Sequence, residues 1–153
     1  MNALDHLAAC AGEWRGTNRL HDPRTGRPED SPSTARVTPV LHGWFVRFDY
    51  TWGYQGTPQE GSLLIGMDPK AGSATAQWID TWHMGRLVMS CTGAVQGNTH
   101  FSFRGSYAVP PGRDCGWRVE LDLSAPGMLR VAMVNVSPDG VETPAAEASY
   151  SQP

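Results

Sequence analysis

Residues 116–123 read Gly116-Trp117-Arg118-Val119-Glu120-Leu121-Asp122-Leu123, with every second position apolar. Side chains of a β-strand point alternately to its two faces. One face of this stretch therefore holds Trp117, Val119, Leu121 and Leu123, and the other holds Arg118, Glu120 and Asp122. The apolar set must face a core, because a slip of one residue would bury the charges instead.

The same alternation runs outward along most of the chain. Strands are predicted near residues 13–21, 33–42, 44–52, 61–68, 74–83, 86–95, 99–107, 116–124, 128–136 and 142–150. Turn chemistry separates them at Asp22-Pro23, Asp68-Pro69, Gln96-Gly97-Asn98, Pro110-Pro111-Gly112, Ala125-Pro126-Gly127 and Pro138-Asp139-Gly140. The longest loop is expected at about residues 22–32, which are rich in Pro, Arg, Asp and Glu. Only the start of the chain reads as helix, over about residues 3–11, with Leu4, Leu7, Ala8 and Ala11 on one face. Asn2 is its expected cap, Asp5 suits the first turn, and Gly12 is a stop. Short connections between successive strands imply an up-and-down antiparallel meander, and closing it removes both exposed edges. The expected fold is therefore all-β: one domain over residues 1–153, a closed antiparallel barrel of about ten strands behind a short helix.

Composition narrows the function. There are 12 basic and 15 acidic side chains, and Lys70 is the only lysine. Scattered arginines on a slightly acidic chain argue against nucleic acid or an anionic membrane surface as a partner. The three cysteines, Cys10, Cys91 and Cys115, have no metal-site spacing and read as free thiols, which points to a cytoplasmic location. Leu7-Ala8-Ala9-Cys10 mimics a lipoprotein cleavage box, but Asp5 and His6 interrupt the apolar stretch it would need. Asn135-Val136-Ser137 matches a glycosylation site, read as chance in a cytoplasmic chain. No phosphate loop, nucleophile elbow, dinucleotide fingerprint or zinc-binding motif is present, and neither metal nor cofactor is expected.

Sorting the strands places Trp14, Gly16, Asn18 and Leu20 inward on the first, and Trp44, Val46, Phe48, Tyr50 and Trp52 on the third. It adds Leu63, Ile65 and Met67 on the fourth, Leu87, Met89 and Cys91 on the sixth, and Phe101, Phe103 and Tyr107 on the seventh. The ninth contributes Leu129, Val131, Met133 and Asn135. On the fifth, Ala76, Trp78, Asp80, Trp82 and Met84 face in, while Gln77, Ile79, Thr81 and His83 face out. Asp80 is thus the only charged side chain sorted inward, and it lies between two tryptophans. A buried carboxylate needs hydrogen-bond donors or a raised pKa. The candidate ligand-binding set is Asp80 with Trp78, Trp82, Trp44, Tyr50, Trp52, Phe103, Tyr107, Met133 and Asn135.

Gly12-Glu13-Trp14-Arg15-Gly16, Gly66-Met67-Asp68-Pro69 and Trp78-Ile79-Asp80-Thr81 together carry a family likeness. With them the chain resembles an uncharacterised bacterial family of lipocalin-like barrels, known only as a domain of unknown function. The resemblance spans nearly the whole chain. It implies a closed ten-stranded barrel similar to nitrobindin and fatty-acid-binding proteins, with Trp14, Asp68, Trp78 and Asp80 as pattern positions. It implies no activity. Nitrobindin-like proteins carry a haem-ligating histidine near the C-terminus, and residues 138–153 contain none. Fatty-acid binders hold a carboxylate with inward Arg and Tyr, and no arginine sorts inward here.

An aromatic, Met-rich interior with one carboxylate and no cation points to a binding protein for a small, mostly apolar, neutral or cationic ligand. Two alternatives are an isomerase- or cyclase-type barrel using Asp80 as acid or base, and a haem barrel using His83 should the fifth strand's register differ. A scaffold working through its outer face is a third. Leu64, Ile79 and Val88 point outward on the fourth to sixth strands, and a homodimer is expected through that strip.

Overall fold

The alternating segments form ten strands, all joined into one sheet. The structure, a computed structural model, describes residues 1–153. Helix α1 (Ala3–Ala8) leads into β1 (Gly12–Asp22), β2 (Arg27–Val40), β3 (Phe45–Tyr54), β4 (Thr57–Asp68) and β5 (Ser73–Asp80). There follow β6 (Met89–Gln96), β7 (His100–Tyr107), β8 (Cys115–Asp122), β9 (Met128–Val136) and β10 (Glu142–Ser151). Each strand pairs antiparallel with the next, and β10 returns to β1, so the barrel closes with no free edge. No helix is long and apolar enough to cross a membrane.

The helix is shorter than its sequence pattern, but its start is as read. Asn2 Oδ1 accepts from the Asp5 amide, and Asp5 Oδ2 accepts from the Asn2 amide, both at 3.0 Å. Its Ala3, Leu4 and Leu7 are buried. Inside the barrel Leu63, Ile65, Trp78, Phe101, Phe103, Val119, Leu121 and Leu129 lose all contact with water. Each such side chain contributes roughly 1.5–3 kcal/mol.

The predicted loop at 22–32 and the gap left at 53–60 are mostly strand instead. Residues 22–32 belong to a hairpin in which Asp22 pairs with Arg27 and Thr17 with Pro32. The prolines that suggested a loop are tolerated because β2 pairs with β3 only from Thr34 onward. Pro28 and Pro32 therefore sit where no neighbour asks for an N–H. Residues 53–60 likewise continue β3 and β4 to the two-residue turn Gln55-Gly56, whose φ values are 48° and 82°. Two successive positive φ angles make the mirror-image turn that matches strand twist, here with Gln in place of the usual Asn.

Two inward assignments are corrected. Trp44 is 75 % exposed, because it lies beyond the last β2–β3 pair, Val40 with Phe45. The left-handed run Leu41, His42, Gly43 sets its direction, not the pleat of β3. Leu87 is also exposed, since β6 begins only at Met89.

Candidate ligand-binding site

The barrel is packed solid at one end and hollow at the other. At the packed end α1 lies across the opening, where Trp14 Nε1 donates to the Cys10 carbonyl at 2.8 Å. Phe101 and Phe103 stack there with ring centroids 5.7 Å apart. At the opposite end, the β1–β2 turn, the β5–β6 loop and the β9–β10 hairpin surround a cavity of about 670 Å³. That lies within the range of roughly 300–1,000 Å³ typical of small-molecule sites. Its walls include Leu20, Trp78, Trp82, Met84, Met89 and Trp117, with His83, Tyr107 and Asn135 as polar members. A groove of about 730 Å³ on the outer wall is lined by solvent-face side chains of β1 to β5, such as Arg36, Asp49 and Glu60. Arg36 and Asp49 are already paired there, with Glu13 and Arg47.

Beneath the cavity lies a polar network centred on Asp80. Trp78 Nε1 donates to Tyr50 Oη at 2.9 Å, and Tyr50 Oη donates to Asp80 Oδ2 at 2.6 Å. Asp80 Oδ1 accepts from the amides of Trp82 and His83 at 2.7 and 3.0 Å. His83 Nδ1 lies 3.0 Å from the same oxygen. Burial raises the Asp80 pKa, but the bonds from His83, Tyr50 and the Trp82 amide outweigh it, so the carboxyl falls below its ordinary 3.8. Burial and the adjacent Asp80 charge push the Tyr50 hydroxyl well above its ordinary 10. The two directions agree: the proton stays on Tyr50 and Asp80 is ionised.

The amide bonds to Asp80 end β5 and start a turn, as an Asp side chain commonly does. The chain then folds inward over the barrel, and this corrects the outward placement of His83. Its side chain is only 11 % exposed. Four indoles surround its ring at centroid distances of 4.8 Å (Trp82), 5.4 Å (Trp117), 5.6 Å (Trp78) and 5.7 Å (Trp52). A carboxylate facing Nδ1 requires the proton there, which leaves Nε2 as the free end of the ring. His83 Nε2 and Trp117 Nε1 are both buried without a hydrogen-bond partner.

Of the predicted site residues, Trp78, Trp82, Tyr107 and Asn135 line the cavity together, and the Tyr107 hydroxyl donates to the Asn135 side chain. Tyr50 and Asp80 lie one layer below; with Trp52 and Met133 they border a void of about 20 Å³, and on the far side both residues back onto the outer-wall groove. Phe103 is wholly buried and lines no cavity, while Trp44 is outside the barrel. Asp80 cannot exchange a proton with a ligand directly, because its side chain is inaccessible and both oxygens are engaged. His83 Nε2 is buried among the indoles, so an iron, like any ligand, would reach it only with Trp82 moved aside.

Alternation carried through Trp82 points His83 outward, so the sequence pattern offers it only as a haem ligand on a different register and leaves it out of the binding set. The signal for the turn is Asp80 itself, three residues before His83 and five before Gly85. Alternation also gives no hint of the hairpin tip, where Asp22 is buried and accepts from Tyr54 Oη at 2.7 Å. Arg24 and Arg27, on the same tip, line the cavity although no arginine sorts inward on a strand.

Among solved structures, the fold is similar to the crystal structure of Rv2717c from M. tuberculosis. That match has a TM-score of 0.67 at 14 % identity and covers 100 % of this chain and 98 % of the other. No curated protein matches. The model of one family matches residues 2–152, so the chain belongs to the family described as Protein of unknown function (DUF1579).

Proposed function

We propose that the chain is a binding protein for a small, mostly apolar ligand held in the aromatic cavity. One observation carries this reading. Two buried polar atoms, His83 Nε2 and Trp117 Nε1, are left without partners among the residues lining a cavity of about 670 Å³. A buried donor or acceptor without a partner costs about 1–3 kcal/mol, which a ligand bearing a complementary group recovers. Flat indole walls favour a planar or slender body. Trp82 and Met84 come from the β5–β6 loop, so their side chains are the ones that must give way for a ligand to reach His83 Nε2.

A thermal-shift screen of small aromatic and aliphatic compounds tests the reading. Stabilisation by at least one class, lost in Trp117→Leu and weakened in His83→Leu, is the expected result. Equal shifts in the wild type and both variants would place binding elsewhere and end the proposal.

A further inference from the structure

The cavity has a sign as well as a shape. Arg24 and Arg27 belong to the β1–β2 tip and line its mouth. None of the chain's ion pairs uses either guanidinium. The one carboxylate of the lining, Asp22, is engaged by Tyr54 Oη at 2.7 Å and by the Arg24 amide at 2.8 Å. His21, the remaining titratable group at the tip, faces Glu147 at 3.2 Å. Two guanidiniums against one carboxylate leave the mouth positive on a chain whose net charge is −3.

Arg24 is also positioned. Its guanidinium carbon stands 5.2 Å from the Trp82 ring centroid and 5.8 Å from that of Tyr54. Stacking of this kind holds the plane of the group and turns its N–H donors to the edge. At the floor the charge is opposite, since ionised Asp80 lies directly behind His83.

We propose that the ligand is an organic anion: an apolar body against the indoles, with one carboxylate held at the mouth by Arg24 and Arg27. The inference rests on the binding reading above and reverses the neutral or cationic ligand expected from the strand pattern. The polarity of the cavity also orients the ligand. A carboxylate at the floor would face His83 with the Asp80 charge directly behind it, whereas at the mouth it meets two guanidiniums that no ion pair uses.

Isothermal titration of the full chain with two matched pairs, 1-naphthylacetate with its amide and dodecanoate with dodecanol, tests this. At low salt, at least one anion should bind about fivefold tighter than its neutral partner, the scale of two exposed charge contacts. High salt should erode that preference. Arg24→Gln with Arg27→Gln should bring the ratio of anion to neutral affinity down to about one, and the Lys pair at the same positions should retain the preference. A neutral partner that binds as tightly as its anion, or a preference that survives the double Gln change, overturns the anion proposal and leaves the binding reading standing. If no member of either pair binds, both fail.

Discussion

Tyr50 reaches Asp80 by passing over the strand that separates them. Tyr50 pairs with Gly61 on β4, Gly61 pairs with Asp80 on β5, and the hydroxyl ends 2.6 Å from Asp80 Oδ2. The crossing is possible because Gly61 has no side chain. A Cβ there would lie 2.2 Å from Tyr50 Oη and 2.9 Å from the Ile79 carbonyl.

Gly61→Ala should therefore destabilise the barrel by roughly 2–4 kcal/mol, combining overpacking with loss of a charged hydrogen bond. Urea unfolding measures it. Combining it with Tyr50→Phe should cost less than the sum of the two changes, since both remove the same contact. Strict additivity would show that Gly61 matters for another reason.

Asp80 sets an acid limit on stability. Its folded pKa is depressed below 3.8, so the native state binds fewer protons than the unfolded chain in that range. The stability it contributes is complete above the unfolded value and disappears as pH falls through the lower folded value. Asp80→Ala should cost about 3 kcal/mol or more at neutral pH, by leaving the donors around it unpaired. The gap between wild type and variant should narrow below about pH 4. A gap that stays constant from neutrality to about pH 3 would mean the carboxylate charge is not what holds this network.

Cys91 should be chemically silent in the folded protein. Burial pushes its thiol up to about 11 and leaves it 1 % exposed. At about pH 8 only about a thousandth of it is thiolate, before access is considered. Mass spectrometry after iodoacetamide treatment should find Cys91 unmodified until denaturant is added. Rapid native labelling would contradict the closed packing around β5 and β6.

We propose that two copies associate through the outer wall of β4 and β5. Leu64 and Ile79 are 40 % and 48 % exposed there, with Val88 and Leu87 beyond them in the loop before β6. Gln77 and Ser62 stand opposite Leu64 and Ile79, so the strip runs diagonally across the pair of strands. Ile79→Lys should shift the sedimenting species from dimer to monomer with an unchanged circular dichroism spectrum. A wild type that sediments as a monomer at high concentration disposes of this interface.

Capping chemistry determined the helix start at Asn2. Alternation by itself determined the ten strands and most of the core, including Trp78, Val119 and Leu129. These follow from a local rule, that successive side chains alternate and apolar ones avoid water. The same rule placed Asp80 inside. It failed where the chain leaves the pleat: at Trp44, whose direction the preceding turn sets, and at His83, carried inward by a turn built on Asp80's own carboxylate. Only the closed barrel decided that Tyr50, Gly61 and Asp80 share one row across three strands. The closed barrel alone also brought Arg24 from the first hairpin against Trp82 from the fifth connection. Those meetings depend on strand register and loop path over tens of residues, which no short-range pattern encodes.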